Sequence, residues 1–221
     1  LLKSFKTEIN PTKEQIAKIN KTIGTCRYIY NFYIAKNKEL YNKEKKFMSG
    51  NEFSFWLNNE YLPNNQDQLW IKDVSSKSVR RSIENGYIAF VNFFNHKSNF
   101  PKFKRKDIPD VKMYFIKNNN KDCLSERHRI KVPTLGWVRL KEKGYIPTSK
   151  NGFIVRSGTI SHKAERYYIS VLIDMPEKNK QINNNPGIGI DLGLKDFAIC
   201  SNNSVFQNIN KTNSIKKIEK S

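Results

Sequence analysis

The chain has 221 residues, of which 38% are hydrophobic and 12% aromatic, enough apolar matter for one large core or two small ones, and this excludes a disordered tail. Forty Lys and Arg against twenty Asp and Glu leave a formal charge of +20, which points to a polyanionic partner, nucleic acid first, over a small acidic substrate. No stretch approaches the roughly 20 apolar residues of a spanning helix, and residues 1–10 are too often charged for a signal peptide; the reading is a soluble cytoplasmic protein with no membrane partner, nucleoid-associated where DNA is bound.

Leu2 to Ile9 is a short strand candidate that stops at Asn10-Pro11. Thr12 and Gln15 have capping-box spacing, and Ile16, Ile19, Ile23, Cys26, Tyr30 and Ile34 then recur at helical intervals, which predicts a helix with an apolar stripe. Its other face carries Lys13, Lys18, Lys21 and Arg27, either solvated or turned to phosphate, and Gly24 either bends the helix or divides it in two. From Met48 to Asp73 the Asn-rich, aromatic text reads as a short helix broken at Pro63 and then a loop. Ser75 or Ser76 opens a second strong helix whose Val79, Ile83, Tyr87, Phe90 and Phe94 form the expected core face, leaving Arg80 and Arg81 free to reach outward.

Residues 97–106, KSNFPKFKRK, differ in kind. Basic residues alternate with Phe100 and Phe103 around Pro101, and proline biases its neighbour towards extended backbone. The plain alternative is a solvated linker; the favoured reading is contact with nucleic acid through Lys102, Phe103, Lys104, Arg105 and Lys106, because cations interleaved with aromatic faces suit stacking on bases and pairing with phosphates.

Beyond Arg129 the period changes to two. Residues 130–140 read as strands interrupted by Pro133 and Gly136, and residues 153–160 with 166–174 read as a hairpin that buries Tyr167, Ile169, Val171 and Ile173. Residues 176–186 are a linker by composition. The stretch GIGIDLGLKDFAIC, residues 187–200, then puts Ile188, Ile190, Leu192 and Leu194 on one face and Asp191 among glycines on the other. Three readings stand at this point: an edge strand with a solvated acid, the first strand of a ribonuclease-H-like nuclease, or the first phosphate strand of an actin-like ATPase. In such ATPases a Thr or Ser usually follows the second glycine, where this chain has Leu194. Cys26, Cys123 and Cys200 are widely spaced and odd in number, so they argue neither a disulfide framework nor a zinc ribbon, and His96, His128 and His162 are equally isolated.

Seven pieces in order, PTKEQ, GTCRYIYNFYIAKN, SSKSVRRSIENGYIAFVNFF, FPKFKRK, KVPTLGWVRL, GTISHKAERYYISVLID and GIGIDLGLKDFAIC, resemble the OrfB/TnpB proteins of bacterial insertion sequences. The resemblance implies an α+β chain with a small β-barrel wedge domain over residues 1–10 and 123–176. A helical recognition insertion over 11–122, a linker over 177–186 and the first strands of a truncated ribonuclease-H-like (RuvC) domain over 187–221 complete it. It also implies transposition-linked DNA binding, a helix-turn-helix, and a guide RNA and target DNA as partners, held in part by Lys13, Lys21, Arg27, Arg80 and Arg81. Asp191 matches the family's first catalytic acid, a magnesium ligand; the later acids and the family's zinc element have no counterpart here. The expectation is therefore a fragment or decayed copy, inactive as a nuclease on its own, with a nuclease-dead DNA- or RNA-binding regulator as the alternative.

Overall fold

The computed structural model describes residues 1–108, 110–119, 121–176, 187–211 and 215. They fall into two compact units, Leu1–Glu177 and Lys178–Ser221. The expected barrel and helical insertion thus share a single unit.

Strand β1 (Leu2–Asn10) opens the first unit, and Pro11 ends it by withholding an amide from the ladder. Helix α1 (Lys13–Glu44) starts at once, because the capping box forms: the Gln15 amide donates to Thr12 Oγ1 at 3.3 Å and the Thr12 amide donates to Gln15 Oε1 at 3.0 Å. Gly24 does not divide it; α1 runs unbroken for 32 residues. A second capping box, Ser49 with Glu52, starts α2 (Gly50–Trp56).

Pro63 does not break the next stretch into a loop. The chain first widens into a π-turn over Leu57–Tyr61 and then closes as α3 (Leu62–Asn64), with Pro63 in the first turn, where a missing N–H is harmless. A 3₁₀ segment over Gln66–Asp73 leads to α4 (Ser76–Phe94), which Ser75 precedes without a side-chain cap bond.

The packed face of α4 differs from the expected one. Tyr87 and Phe94 are 38% and 48% exposed, whereas Ser78, Ser82, Gly86 and Phe90 are buried with Ile83. Small residues four apart let α1 approach closely. A Cβ at Gly86 would lie 2.6 Å from Tyr33 Cδ1, and Cys26 Sγ sits 3.5 Å from the Ser78 carbonyl.

The sheet is mixed in sequence order and antiparallel throughout. It contains β2 (Met113–Ile116), β3 (Arg129–Val132), β4 (Gly136–Leu140), β5 (Ile154–Lys163) and β6 (Arg166–Asp174), in the order β2-β5-β6-β1-β4-β3. It curls into a half-barrel rather than closing, with β2 and β3 as edges among the described residues. β1 pairs with β6 from Leu2 opposite Asp174 to Ile9 opposite Tyr167, and only its last two residues reach β4. β2 lies before the expected boundary at residue 123: alternation over four residues is too short to separate from a helix end by pattern. Gly158 on β5 permits this edge pairing, since a Cβ there would meet the Ser170 carbonyl oxygen at 2.7 Å and collide with Phe115.

Two cores result. Ile9, Met113, Phe115, Ile130, Val138, Ile160, Ile169, Val171 and Ile173 pack under the sheet with Ile19 of α1, while Ile29, Tyr33, Ile34, Phe53, Leu57, Leu62, Ile83 and Phe90 pack among the helices. α1 serves both, its first half on the sheet and its second half among the helices. The second unit is one antiparallel sheet, β7 (Ile190–Leu192), β8 (Asp196–Cys200) and β9 (Val205–Gln207), in that order.

Candidate nucleic-acid interface

The basic segment after α4 is pinned rather than loose. Asn31, in the middle of α1, holds its backbone in the manner of a ladder partner: the Asn31 Nδ2 donates to the Lys104 carbonyl at 3.0 Å, and the Lys104 amide donates to Asn31 Oδ1 at 2.7 Å. Pro101 is buried, and Phe100 sets its edge on Phe90 and Phe93 at 5.6 and 5.3 Å. One aromatic of the pair anchors the segment; Phe103, 55% exposed, is the one free to stack.

The cations divide into two groups by their partners. Lys21 meets Asp73 at 2.9 Å, and Arg80 and Arg81 share Glu84 at 3.3 and 3.1 Å, Arg81 also lying over the Tyr114 ring. Lys104 pairs with Asp110 at 2.5 Å and lies over Tyr30, and Arg105 grips Asp107 with two bonds of 3.1 and 2.8 Å. All of these pairs are solvent-facing, so each holds loosely and a phosphate can compete for the cation. Lys13, Arg27, Lys102 and Lys106 form the second group, with no ion pair and no side-chain hydrogen bond among the described residues. Partner choice of this kind is invisible in sequence, because Asp73 lies 52 residues from Lys21.

Two cavities open beside these side chains. One, of about 490 Å³, lies between α1, α4 and the sheet and presents Arg81, Asn85, Lys104 and Lys112 with the rings of Tyr30 and Tyr114. The other, of about 420 Å³, presents Lys72, Lys77 and Arg80 with Asn58. Lys72, Lys77, Lys112, Asn85 and Asn31 were missed by reasoning from sequence, since single polar residues on a helix or loop carry no periodic signal.

In the second unit Asp191 stands exposed on β7, opposite Ile199 of β8. Ile190 and Leu192, 62% and 69% exposed, pair with Cys200 and Ala198. Among the described residues no three of His, Cys, Asp and Glu stand close enough to hold a metal ion. Asp191 offers a divalent cation one ligand, where two-metal phosphodiester chemistry uses several converging carboxylates. The described residues therefore do not by themselves make up a magnesium centre. Cys26 and Cys123 are buried singly, their thiols each pushed up to about 11 by burial, which suits packing and not zinc ligation. Among the described residues no helix is long and apolar enough to cross a membrane.

The fold and its surface define a strongly basic α/β protein in which a curled antiparallel sheet carries a helical insertion. The helix-turn-helix domain described for OrfB proteins of the IS605 kind matches residues 1–46, which here form β1 and the whole of α1, one continuous helix. The chain is 25% identical over 209 residues to the protein named "Putative RNA-guided DNA endonuclease InsQ" of Escherichia coli (strain K12), covering 95% of this chain and 50% of that one. It is 23% identical over 209 residues to a "Putative RNA-guided DNA endonuclease" of Streptomyces pristinaespiralis, covering 90% of this chain and 48% of that one. Among solved structures, a chain of a CRISPR-Cas12f ternary complex is similar with a TM-score of 0.49 and 14% identity, over 94% of this chain and 50% of that one. The chain is thus similar to insertion-sequence proteins of the OrfB kind in its first 46 residues, and to the two relatives named as RNA-guided DNA endonucleases over nearly all of its own length. It spans about half the length of the relatives it matches.

Proposed function

We propose that this polypeptide binds a guide RNA and its DNA target through the unit built on α1, as the gripping part of an RNA-guided DNA endonuclease, and that it cuts neither strand by itself. The observation that carries the reading is the second group of cations: Lys13, Arg27, Lys102 and Lys106 stand without carboxylate partners among the described residues, in a chain of net charge +20. Such cations release counterions when they meet phosphates, which supplies affinity without sequence preference, and base pairing to the guide then supplies sequence. The names of the two relatives support the guided character.

Fluorescence anisotropy with a single-stranded RNA and a duplex DNA of the same length tests this directly. Binding at micromolar or lower concentration is expected, falling as a power of salt concentration with an exponent of about 2 to 4 if three to five phosphates are neutralised. Exchanging Lys102 and Lys106 together to Ala lowers that exponent by about 1 to 2. Incubation of guide-matched DNA with RNA and Mg²⁺ leaves the DNA intact. Absence of binding by the unaltered chain at low salt would reject the gripping role, and cleavage that Asp191→Ala abolishes would reject the claim of inactivity.

A further inference from the structure

A third cavity, of about 450 Å³, lies where α1, the end of the basic segment and β5 meet, and we propose that it seats one sugar–phosphate unit of a nucleic-acid strand, with Arg27 and Lys106 on the phosphate and the His162 ring in its wall. The inference deepens the nucleic-acid reading and rests on it.

Three observations converge there. Arg27 and Lys106 both line the cavity, no carboxylate does, and neither cation has a side-chain partner among the described residues. Of the cations that the sequence suggests for nucleic acid, all the others except Lys13, Lys18 and Lys102 have a carboxylate partner, so the pair that lacks one and shares a cavity is set for an anion from outside.

His162 supplies the second observation. Its Nε2 is sealed from solvent with no hydrogen-bond partner, the one side-chain nitrogen or oxygen so placed among the described residues. The imidazole lies flat on Tyr167 with ring centres 4.5 Å apart and 13° between planes, and the Tyr167 hydroxyl donates to Asn20 Oδ1 at 3.4 Å. The ring is thus fixed as a flat wall of the cavity, with its sealed nitrogen turned to the interior and not to the opening.

Shape is the third. Ile23 and Val111 give the cavity an apolar wall beside its cations, which suits a sugar beside a phosphate and not a bare inorganic ion, and the volume falls in the range of small-ligand sites.

The test uses the full chain with a single-stranded RNA and a duplex DNA, binding measured across a salt series. Arg27→Met and Lys106→Met keep the apolar stems and remove one charge each. Lys143→Met, at an exposed cation outside the cavity, is the matched control. For whichever of the two nucleic acids enters the cavity, each cavity variant is expected to lower the salt exponent by about 0.7 (RNA) or about 0.9 (duplex DNA), and Lys143→Met to leave it unchanged. If Arg27→Met and Lys106→Met track Lys143→Met on both ligands, the cavity proposal is overturned while the nucleic-acid reading stands. If the unaltered chain binds neither ligand, the functional reading falls and this inference with it.

Discussion

Cys26 is a packing residue whose chemistry surfaces only through stability. It is fully buried where α1 crosses α4, and removal from water pushes its thiol up to about 11, a hydrogen bond from the Ser82 side pulling the other way. The unfolded thiol ionises near 9, so above that pH the unfolded chain gives up a proton that the folded chain keeps, and stability falls as pH rises. Across the interval up to about 11 the loss amounts to roughly 2–3 kcal/mol, and it vanishes below 9. Urea unfolding at about pH 8 and pH 10 is expected to show about half of this drop from Cys26 in the natural chain and a smaller total drop in Cys26→Ala. Tyr33 works in the same direction at higher pH, since burial raises its phenol and its hydroxyl donates to the Met48 carbonyl at 2.8 Å. The same burial makes Cys26 inert to alkylation in the native state.

At the scale of elements, α1 joins the sheet to the helices, and one side chain ties its first turn to the sheet. Besides closing the capping box, Gln15 Nε2 donates to the Leu135 carbonyl at 3.1 Å and the Trp137 carbonyl at 2.9 Å, across 120 and 122 residues of sequence. Gln15→Ala removes both roles and is expected to cost roughly 1–3 kcal/mol. Gln15→Glu keeps the acceptor of the capping box but puts an anion against the two carbonyls, so it separates the contributions. Equal stability of the alanine variant and the natural chain in thermal melts would show that α1 is held by its apolar stripe alone. Asn31 does for the basic segment what Gln15 does for the turn before β4: a helix side chain pairs with the backbone of a distant stretch. Both lock irregular chain to a regular element, which is how a charged segment can be presented at a fixed place without a strand or helix of its own.

For the molecule as a whole, both cores close within the first unit. Every buried member of the sheet and helical clusters lies between Ile9 and Ile173, and the chain's amino terminus donates to the Met175 carbonyl at 3.1 Å. A protein of residues 1–176 is therefore expected to unfold in one cooperative transition within a few degrees of the full chain's first transition, and to keep the salt-dependent binding proposed for it. Calorimetry of the two proteins checks it; a shortened chain that melts without cooperativity would mean that residues after 176 take part in the first core. Asp174 adds a pH dependence at this seam. Arg156 holds its carboxylate below the ordinary range, so this contribution is present above the unfolded carboxylate value and fades as pH falls through the lowered one.

Periodicity, punctuation and charge were enough to locate α1, α4, the β5–β6 hairpin and the capping box, and the ordered motifs were enough to point to the proteins that this chain is similar to. These features are legible because each is written in neighbouring residues: a stripe every three to four positions, an alternation of two, a Thr three residues before a Gln. The tertiary structure alone decided that α4 packs through Ser78, Ser82 and Gly86, since close helix contact selects small residues that hydrophobic patterning ignores. It alone decided that β2 edges the sheet, that Pro63 comes after a π-turn, and that Arg27, Lys106 and His162 share a cavity. In each case the outcome depends on which distant residue meets a side chain, and a linear sequence does not record distance in space.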